Sequence, residues 1–413
     1  MNDSPVNAHI ESILLIVLLQ LTVIIGAARV AGLIFRRFGQ PSVCGEIAAG
    51  LILGPSLFGR FFPELSKQIF NPSVNPIFSI VSQIGLVLLM FLIGLEFEFG
   101  HLKQNRRAAV MVSGAGILLP FGLGLWLGHY MHAQLGLTTN VMFFSLFMAT
   151  AMSITAIPIL GRIMIELQLN RTVIGSLTIT SAAIDDAAGW ILLALVTAIS
   201  QSNFDPWKFT TMIAGVLAFA AVMFLVVRPL MIRWVTRRGL TLNTLAVLLI
   251  AIFLCAIATN IIGIFSIFGA FLLGAVLYDQ TEFVTAVRAK LSDFVTAFFL
   301  PIFFTYTGLR TDIGTMTGAE LWTLCGLVVL AATVGKFGGC TMAARWNGFS
   351  WRDSSMIGIM MNTRALMELI VINIGYDLGV IPRSVFFMLV FMAIFTTYIT
   401  APILRRIAPE LPR

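Results

Sequence analysis

The sequence predicts an all-α membrane protein of about thirteen transmembrane helices, and three observations carry that reading. Only 11% of the 413 residues are charged while 58% are hydrophobic, against about 25% charged in ordinary soluble domains. That polar surface is too small to cover a globule of this size, so lipid must be the solvent for most of the chain. Apolar stretches near the ~20 residues that cross a hydrocarbon core recur from end to end. Between them, the basic residues fall in alternate loops.

Taken in order, the first segment, residues 10–35, stops at Arg36-Arg37. The second, 41–58, carries Gly45, Gly50 and one acid, Glu46, and the third, 77–95, closes on Gly94-Leu95-Glu96. The fourth, 108–130, follows Lys103, Arg106 and Arg107. The fifth, 141–165, holds several hydroxyls and Pro158; the sixth, 172–199, holds Asp185-Asp186. The seventh, 209–232, runs into Arg228, Arg233, Arg237 and Arg238. The eighth and the short ninth are 242–262 and 264–278. The tenth, 293–309, follows Arg288 and Lys290 and ends Gly308-Leu309-Arg310. The eleventh, 321–344, encloses Lys336, and the twelfth and thirteenth, 356–377 and 385–404, lead to Arg405 and Arg406. No hydrophilic stretch is long enough for a second domain, so 1–413 reads as a single polytopic membrane domain.

Short cytoplasmic loops carry excess Lys and Arg. Eighteen basic residues fall on one side of this arrangement and five (Arg60, Lys67, Lys208, Arg310, Arg383) on the other, with Arg29, Lys336 and Arg364 inside segments. The C-terminus is therefore expected in the cytoplasm and, with thirteen helices, the N-terminus outside, in an inner (plasma) membrane. The net charge of +7 is accounted for by this topology rather than by nucleic acid. Cys44, Cys255, Cys325 and Cys340 lie in or beside apolar segments without a C-x-x-C pair and read as packing thiols. The first ten residues lack a signal-peptide pattern, so the first apolar stretch is expected to be retained.

An internal repeat is legible. Gly45-Glu46-Ile47-Ala48-Ala49-Gly50 in segment two is echoed by Gly269-Ala270-Phe271-Leu272-Leu273-Gly274 in segment nine, and the Gly-Leu ending of segment three by that of segment ten. An offset of seven segments inverts one copy relative to the other. Repeat one then covers about 10–199, a linker helix about 209–232, and repeat two about 242–404. The same offset pairs segment five with segment twelve, and both look interrupted: one by Ser153, Thr155 and Pro158, the other by Met361-Asn362-Thr363-Arg364. Proline removes a backbone donor and disfavours helix before it. Paired broken helices near the midplane are a pointer to an ion site.

Ionisable residues at membrane depth are costly and usually functional. Asp185-Asp186 lies about 20 Å of helical rise into segment six, with no cation nearby in sequence. Burial disfavours the charged form of each, and repulsion disfavours both being charged together. Such a pair takes up either a proton or a cation and titrates as one coupled unit. Competition for that site is sufficient for ion exchange. Lys336, well inside segment eleven, has an aspartate as its natural partner; it reads either as a proton carrier or as a structural stabiliser, with snorkelling to the membrane edge the other reading. Arg364 and Glu368 are spaced for a same-helix ion pair of structural role. Glu46 suits a cytoplasmic funnel or simply a helix end. His9, His101, His129 and His132 fall at segment ends or in loops, with no role beyond pH sensing.

Residues 41–54 with the following Gly54-Pro55, Phe91-Leu92-Ile93-Gly94-Leu95-Glu96, residues 152–163, Asp185-Asp186, and Met361-Asn362-Thr363-Arg364 through Glu368-Leu369-Ile370 together resemble the monovalent cation/proton antiporter-2 family. The resemblance spans nearly the whole chain in order. Segments five and twelve are especially similar to plant cation/H⁺ exchangers and their bacterial relatives, and to the membrane domain of potassium efflux proteins. It implies an inverted-repeat antiporter fold with two broken crossing helices. It also implies a homodimer whose mobile core moves as an elevator against a dimerisation domain. By resemblance, Asp186 matches the ion- and proton-binding aspartate, Asp185 the variable position before it, and Lys336 the lysine that pairs with that position. Ser153 and Thr155, with Asn362, match the unwound stretches beside the ion. Ala365 stands where plant-like relatives have Gly, and Asp185 where they often have Asn. The aspartate pair points to Na⁺, the surrounding motifs to K⁺.

The function expected is exchange of a monovalent cation, Na⁺ favoured, for H⁺, electrogenic through the extra Asp185–Lys336 pair. Electroneutral K⁺/H⁺ exchange or K⁺ efflux is the near alternative. A Na⁺-coupled organic-anion symporter is the alternative of another class, and would want more polar residues in the broken helices. An intramembrane aspartyl protease needs Gly-x-Gly-Asp, which is absent. No phosphate-binding loop, haem ligand set or metal cluster appears, so no cofactor is expected; the partners are the transported ions and the bilayer.

Overall fold

The computed structural model describes residues 5–40, 42–95, 106–155, 160–161, 163–164, 169, 172–202, 206–238, 240–364 and 366–408. The expectations for Glu96, His101, Lys103, Pro158, Arg162, Arg171 and Ala365 lie outside them. Among the described residues the regular structure is entirely helical. The helices are α1 (Pro5–Arg37), α2 (Ser42–Leu53), α3 (Asn75–Leu95), α4 (Arg106–Gln134), α5 (Val141–Ser153) and α6 (Val173–Ser202). After them, α7 runs through Pro206–Val222, Met223–Val227 and Arg228–Arg238, followed by α8 (Leu242–Ile262) and α9 (Ser266–Leu277). α10 joins Thr281–Phe294, Val295–Phe299 and Leu300–Arg310, and α11 joins Ala319–Thr333, Val334–Gly338 and Gly339–Trp346. α12a (Trp351–Met361), α12b (Leu366–Asp377) and α13 (Arg383–Ile407) complete the longer helices, with short helical pieces at Phe58–Phe61 and Pro63–Ile69 between α2 and α3.

Among the described residues, ten helices are long and apolar enough to span a membrane. The expected count of thirteen is not reached, for a physical reason. α5 and α9 are apolar but short, and segment ten is the second half of a helix whose first half carries Glu282, Arg288, Lys290 and Asp293. Polar side chains start the helices where the sequence offers them. Asn140 accepts from the amides of Met142 and Phe143 at the head of α5, Thr241 from that of Thr244 at α8, and Ser350 from that of Asp353 at α12a; each satisfies an orphan N–H. α7, α10 and α11 each pass through one π turn (Met223–Val227, Val295–Phe299 and Val334–Gly338), a local widening often found at functional positions.

The chain divides into two compact units, Met1–Leu89 with Ala286–Thr315, and Met90–Thr285 with Met316–Arg413. In the first, Gly45 lies against the Ala31 carbonyl of α1, and Gly50 and Gly308 bring the backbones of α2 and α10 together. Ile24, Val74, Phe78 and Ile302 form a buried cluster there. In the second, Gly269 lies against the Cys255 carbonyl of α8, while Gly94 and Gly274 bring the end of α3 against α9. These contacts correspond one to one under the inverted repeat: Gly45 with Gly269, Gly50 with Gly274, Gly308 with Gly94. Even the partner carbonyl lies fourteen residues before the glycine in both copies, at Ala31 and at Cys255. Small residues are used where helix backbones must approach closely in lipid.

Candidate ion-binding site

Both interrupted segments break within the second unit. α5 ends at Ser153, and Ile154 turns to an extended conformation (φ −74°, ψ 144°). α12a ends at Met361, and Asn362–Arg364 are non-helical before α12b resumes at Leu366. The breaks meet: the Thr155 hydroxyl oxygen lies 3.5 Å from the Met361 carbonyl.

A helix end leaves carbonyls without intrahelical partners and a partial negative charge. Two buried cations cap the end of α5. Lys336 donates from Nζ to the Ser153 carbonyl, and Arg364 donates from Nη1 to the Ala151 carbonyl at 3.4 Å and from Nη2 to Ala332 of α11 at 3.2 Å. On the other break, the Arg364 amide donates to Thr397 Oγ1 of α13 at 3.2 Å, and Thr363 donates to Thr400 at 3.3 Å. Lys336 itself stands in the π turn of α11.

Asp185 and Asp186 are both fully buried, at 0% and 1% exposure, and their surroundings differ completely. Asp185 accepts three hydrogen bonds: from Ser113 of α4 to Oδ1 at 2.5 Å, and to Oδ2 from Thr155 at 2.8 Å and from Lys336 Nζ at 2.6 Å. Among the described residues, neither oxygen of Asp186 has a hydrogen-bond partner, nor does either polar atom of the Asn362 amide. Glu368 lies 3.5 Å from Arg364 Nη1 as a buried ion pair. The structure thus gathers Ser153, Thr155, Asp185 and Lys336 directly, with Asp186, Asn362, Arg364 and Glu368 in the same unit. Glu46 is on α2 in the other unit, buried there.

Ser113 was missed by the sequence reading. It is one hydroxyl in an apolar run, Met111-Val112-Ser113-Gly114, and its partner is 72 residues away, so no local signal marks it.

The arrangement offers one carboxylate that accepts from three donors and one, equally buried, that accepts from none among the described residues. Buried charges are tolerated only when paired. Asp185 pairs with Lys336 and Glu368 with Arg364, whereas Asp186 has no ion-pair partner among the described residues.

A sequence model described as Sodium/hydrogen exchanger, transmembrane, matches residues 23–408. The Na(+)/H(+) antiporter NhaS4 of Synechocystis sp. is 40% identical over 402 residues, covering 96% of this chain and 98% of that one. Cation/H(+) antiporter 18 of Arabidopsis thaliana is 35% identical over 97% of this chain, which spans 49% of that relative's length. The structure is similar in fold to the sodium proton antiporter MjNhaP1 of Methanocaldococcus jannaschii, with a TM-score of 0.68 at 14% identity, covering 95% of this chain and 97% of the other. With a family match that runs nearly end to end, the chain belongs to the sodium/hydrogen exchanger family of transmembrane proteins.

Proposed function

We propose that this protein is a secondary antiporter that exchanges a monovalent cation, Na⁺ by preference, for H⁺ at Asp186. The observation that carries the reading is the contrast between the two aspartates: the carboxylate of Asp185 accepts from three donors while that of Asp186 has none among the described residues. One proton or one monovalent cation neutralises Asp186, and the two compete for the same oxygens. Antiport follows from that competition, because the ion binds only when the proton has left. Asn362, Ser153 and Thr155 flank the site from the two breaks and supply oxygens for a partly dehydrated ion.

The second carboxylate supports an electrogenic form. When the cation draws on Asp185 as well, Lys336 loses its ion-pair partner, and an unpaired buried charge is costly, so a second proton leaves together with that of Asp186. Two protons then move against one cation. Arg364 and Glu368 hold the breaks in place and carry no ion. The protein works as a homodimer in the plasma membrane, with its C-terminus in the cytoplasm, and it catalyses no covalent chemistry.

Proteoliposomes loaded with acid and given Na⁺, Li⁺ or K⁺ test this directly. Internal alkalinisation on adding the cation, lost in Asp186→Asn, and acceleration by a membrane potential are the expected results. Cation-independent proton movement, or full exchange by Asp186→Asn, would remove the basis of the reading. Equal rates with the potential clamped and free would restrict it to the electroneutral form.

A further inference from the structure

Helical serines and threonines of the second unit share one habit. Thr150, Thr178, Thr180, Ser181, Thr396 and Thr397 each donate to the carbonyl four residues earlier, at 2.8–2.9 Å. This back-bond is the ordinary way for a hydroxyl to be satisfied inside a membrane helix. Four hydroxyls of that unit depart from it, with no hydrogen-bond partner among the described residues: Ser145 on α5, Thr333 and Thr341 on α11, and Ser354 on α12a. Two of them, the buried Thr341 and Ser354, border one face of α12a.

Their placement is orderly. Ser354, Gly358 and Asn362 follow one another at four-residue steps, and so share one face of α12a over about 12 Å. At Gly358 there is no side chain, and the notch is taken by the Thr341 hydroxyl and the Phe337 carbonyl, both of which a Cβ would strike. Asn362, at the end of the stripe, has a buried amide without a partner, and Asp186 has two such oxygens. The other end is the α12a N-terminus, where exposed Ser350 and half-buried Asp353 bond each other at 2.8 Å. Met356, Ile357, Ile359 and Met360 between them are buried and apolar. A buried polar group left unbonded costs about 1–3 kcal/mol, so a row of them is sustained where water bonds to them.

We propose that this stripe is a narrow water path along α12a that carries protons between the Asp353 end of the helix and Asp186. Hydroxyls both donate and accept, so Ser354 and Thr341 can relay a chain of water molecules. A proton entering at the Asp353 end passes along the chain by exchange of O–H bonds for hydrogen bonds, and comes to rest on a carboxylate oxygen of Asp186 as the cation departs. Nothing is oxidised or reduced. A dehydrated cation would need several oxygens at each step, and the stripe offers one at a time. The destination of the proton rests on the exchange reading of Asp186; the presence of water does not.

The experiment has two arms. In a chain whose four cysteines are replaced by alanine, Ser354→Cys and Thr341→Cys are exposed to Ag⁺, which is small enough for a single-file path, with Thr197→Cys as comparison because Thr197 is buried and bonded to the Leu193 carbonyl. Positions 354 and 341 should react at least about tenfold faster than 197; equal rates would overturn the water path whatever the protein transports. In the second arm, the shape-preserving double variant Ser354→Val/Thr341→Val should lower the maximal exchange rate about tenfold, with half-saturating Na⁺ within about twofold and an unchanged melting temperature. An unchanged rate, or a raised half-saturating Na⁺ instead, would overturn the assignment to protons. If the wild type moved no protons at all, the exchange reading would fall while the Ag⁺ result still judged the path.

Discussion

Adjacent residues on a helix point about 100° apart, and that rotation separates two aspartates of equal burial. Asp185 turns toward donors on α4, on the break after α5 and on α11, while Asp186 meets none among the described residues. Removing one partner of a buried ion pair strands the other, at a cost of about 3–5 kcal/mol. Lys336→Met should therefore lower the melting temperature in detergent sharply, and adding Asp185→Asn should restore most of it. A Lys336→Met protein as stable as wild type would mean that the pair contributes no net stabilisation. Ser113→Ala removes a bond to a charged group worth about 1.5–3 kcal/mol, so it should lower the melting temperature by a smaller step, and Ser113→Thr should recover it. The pair and its lysine could be singled out from the sequence because charge is so rare in these segments. Ser113 could not, because a serine in an apolar helix looks the same whether it bonds its own backbone or an acid on another helix.

At the scale of the element, the broken segments were legible because hydroxyls, Asn362 and Arg364 interrupt runs that are otherwise apolar. What caps the breaks was not legible. Arg364 and Glu368 form the i, i+4 pair expected of them, at 3.5 Å, but Arg364 lies in the break itself and its guanidinium also donates to carbonyls of α5 and α11. The glycine crossings carry the next prediction. Any side chain at Gly308 would strike the backbone of α2, and any at Gly94 the backbone of α9. Gly308→Val and Gly94→Val should both abolish a monodisperse peak in size-exclusion chromatography, and to a similar degree, since the two positions correspond under the repeat. A well-behaved Gly94→Val beside a collapsed Gly308→Val would break that equivalence.

For the molecule as a whole, competition at one carboxylate makes cation affinity a function of pH, and the sign follows from which form binds. As pH falls, protons occupy Asp186 and the half-saturating Na⁺ rises, by about tenfold per pH unit for one competing proton and about a hundredfold for two. As pH rises the curve flattens once the site is unprotonated. A limiting slope of two identifies the electrogenic form, a slope of one the electroneutral form, and no dependence would contradict competition. Topology is open to a separate check. On intact cells an impermeant thiol reagent should label Lys67→Cys, and it should reach Arg345→Cys only after permeabilisation; the reverse pattern would invert the orientation set by the basic loops.

By itself the sequence determined the solvent, the helical class, the approximate segments, the inverted repeat and the residues whose charge has no place in lipid. These are one-dimensional properties: a hydrophobic run of spanning length, a glycine at a fixed offset, or an acid among alanines is visible wherever the chain later goes. The family resemblance had already set Lys336 beside Asp185 and the ion at Asp186; tertiary structure decided which further donors fill Asp185, because its partners lie 72 and 151 residues away in sequence. It also decided which hydroxyls turn away from their own backbone to line the face of α12a. Both outcomes depend on the angle at which one helix presents a side chain to another, and a pattern along a single chain does not contain that angle.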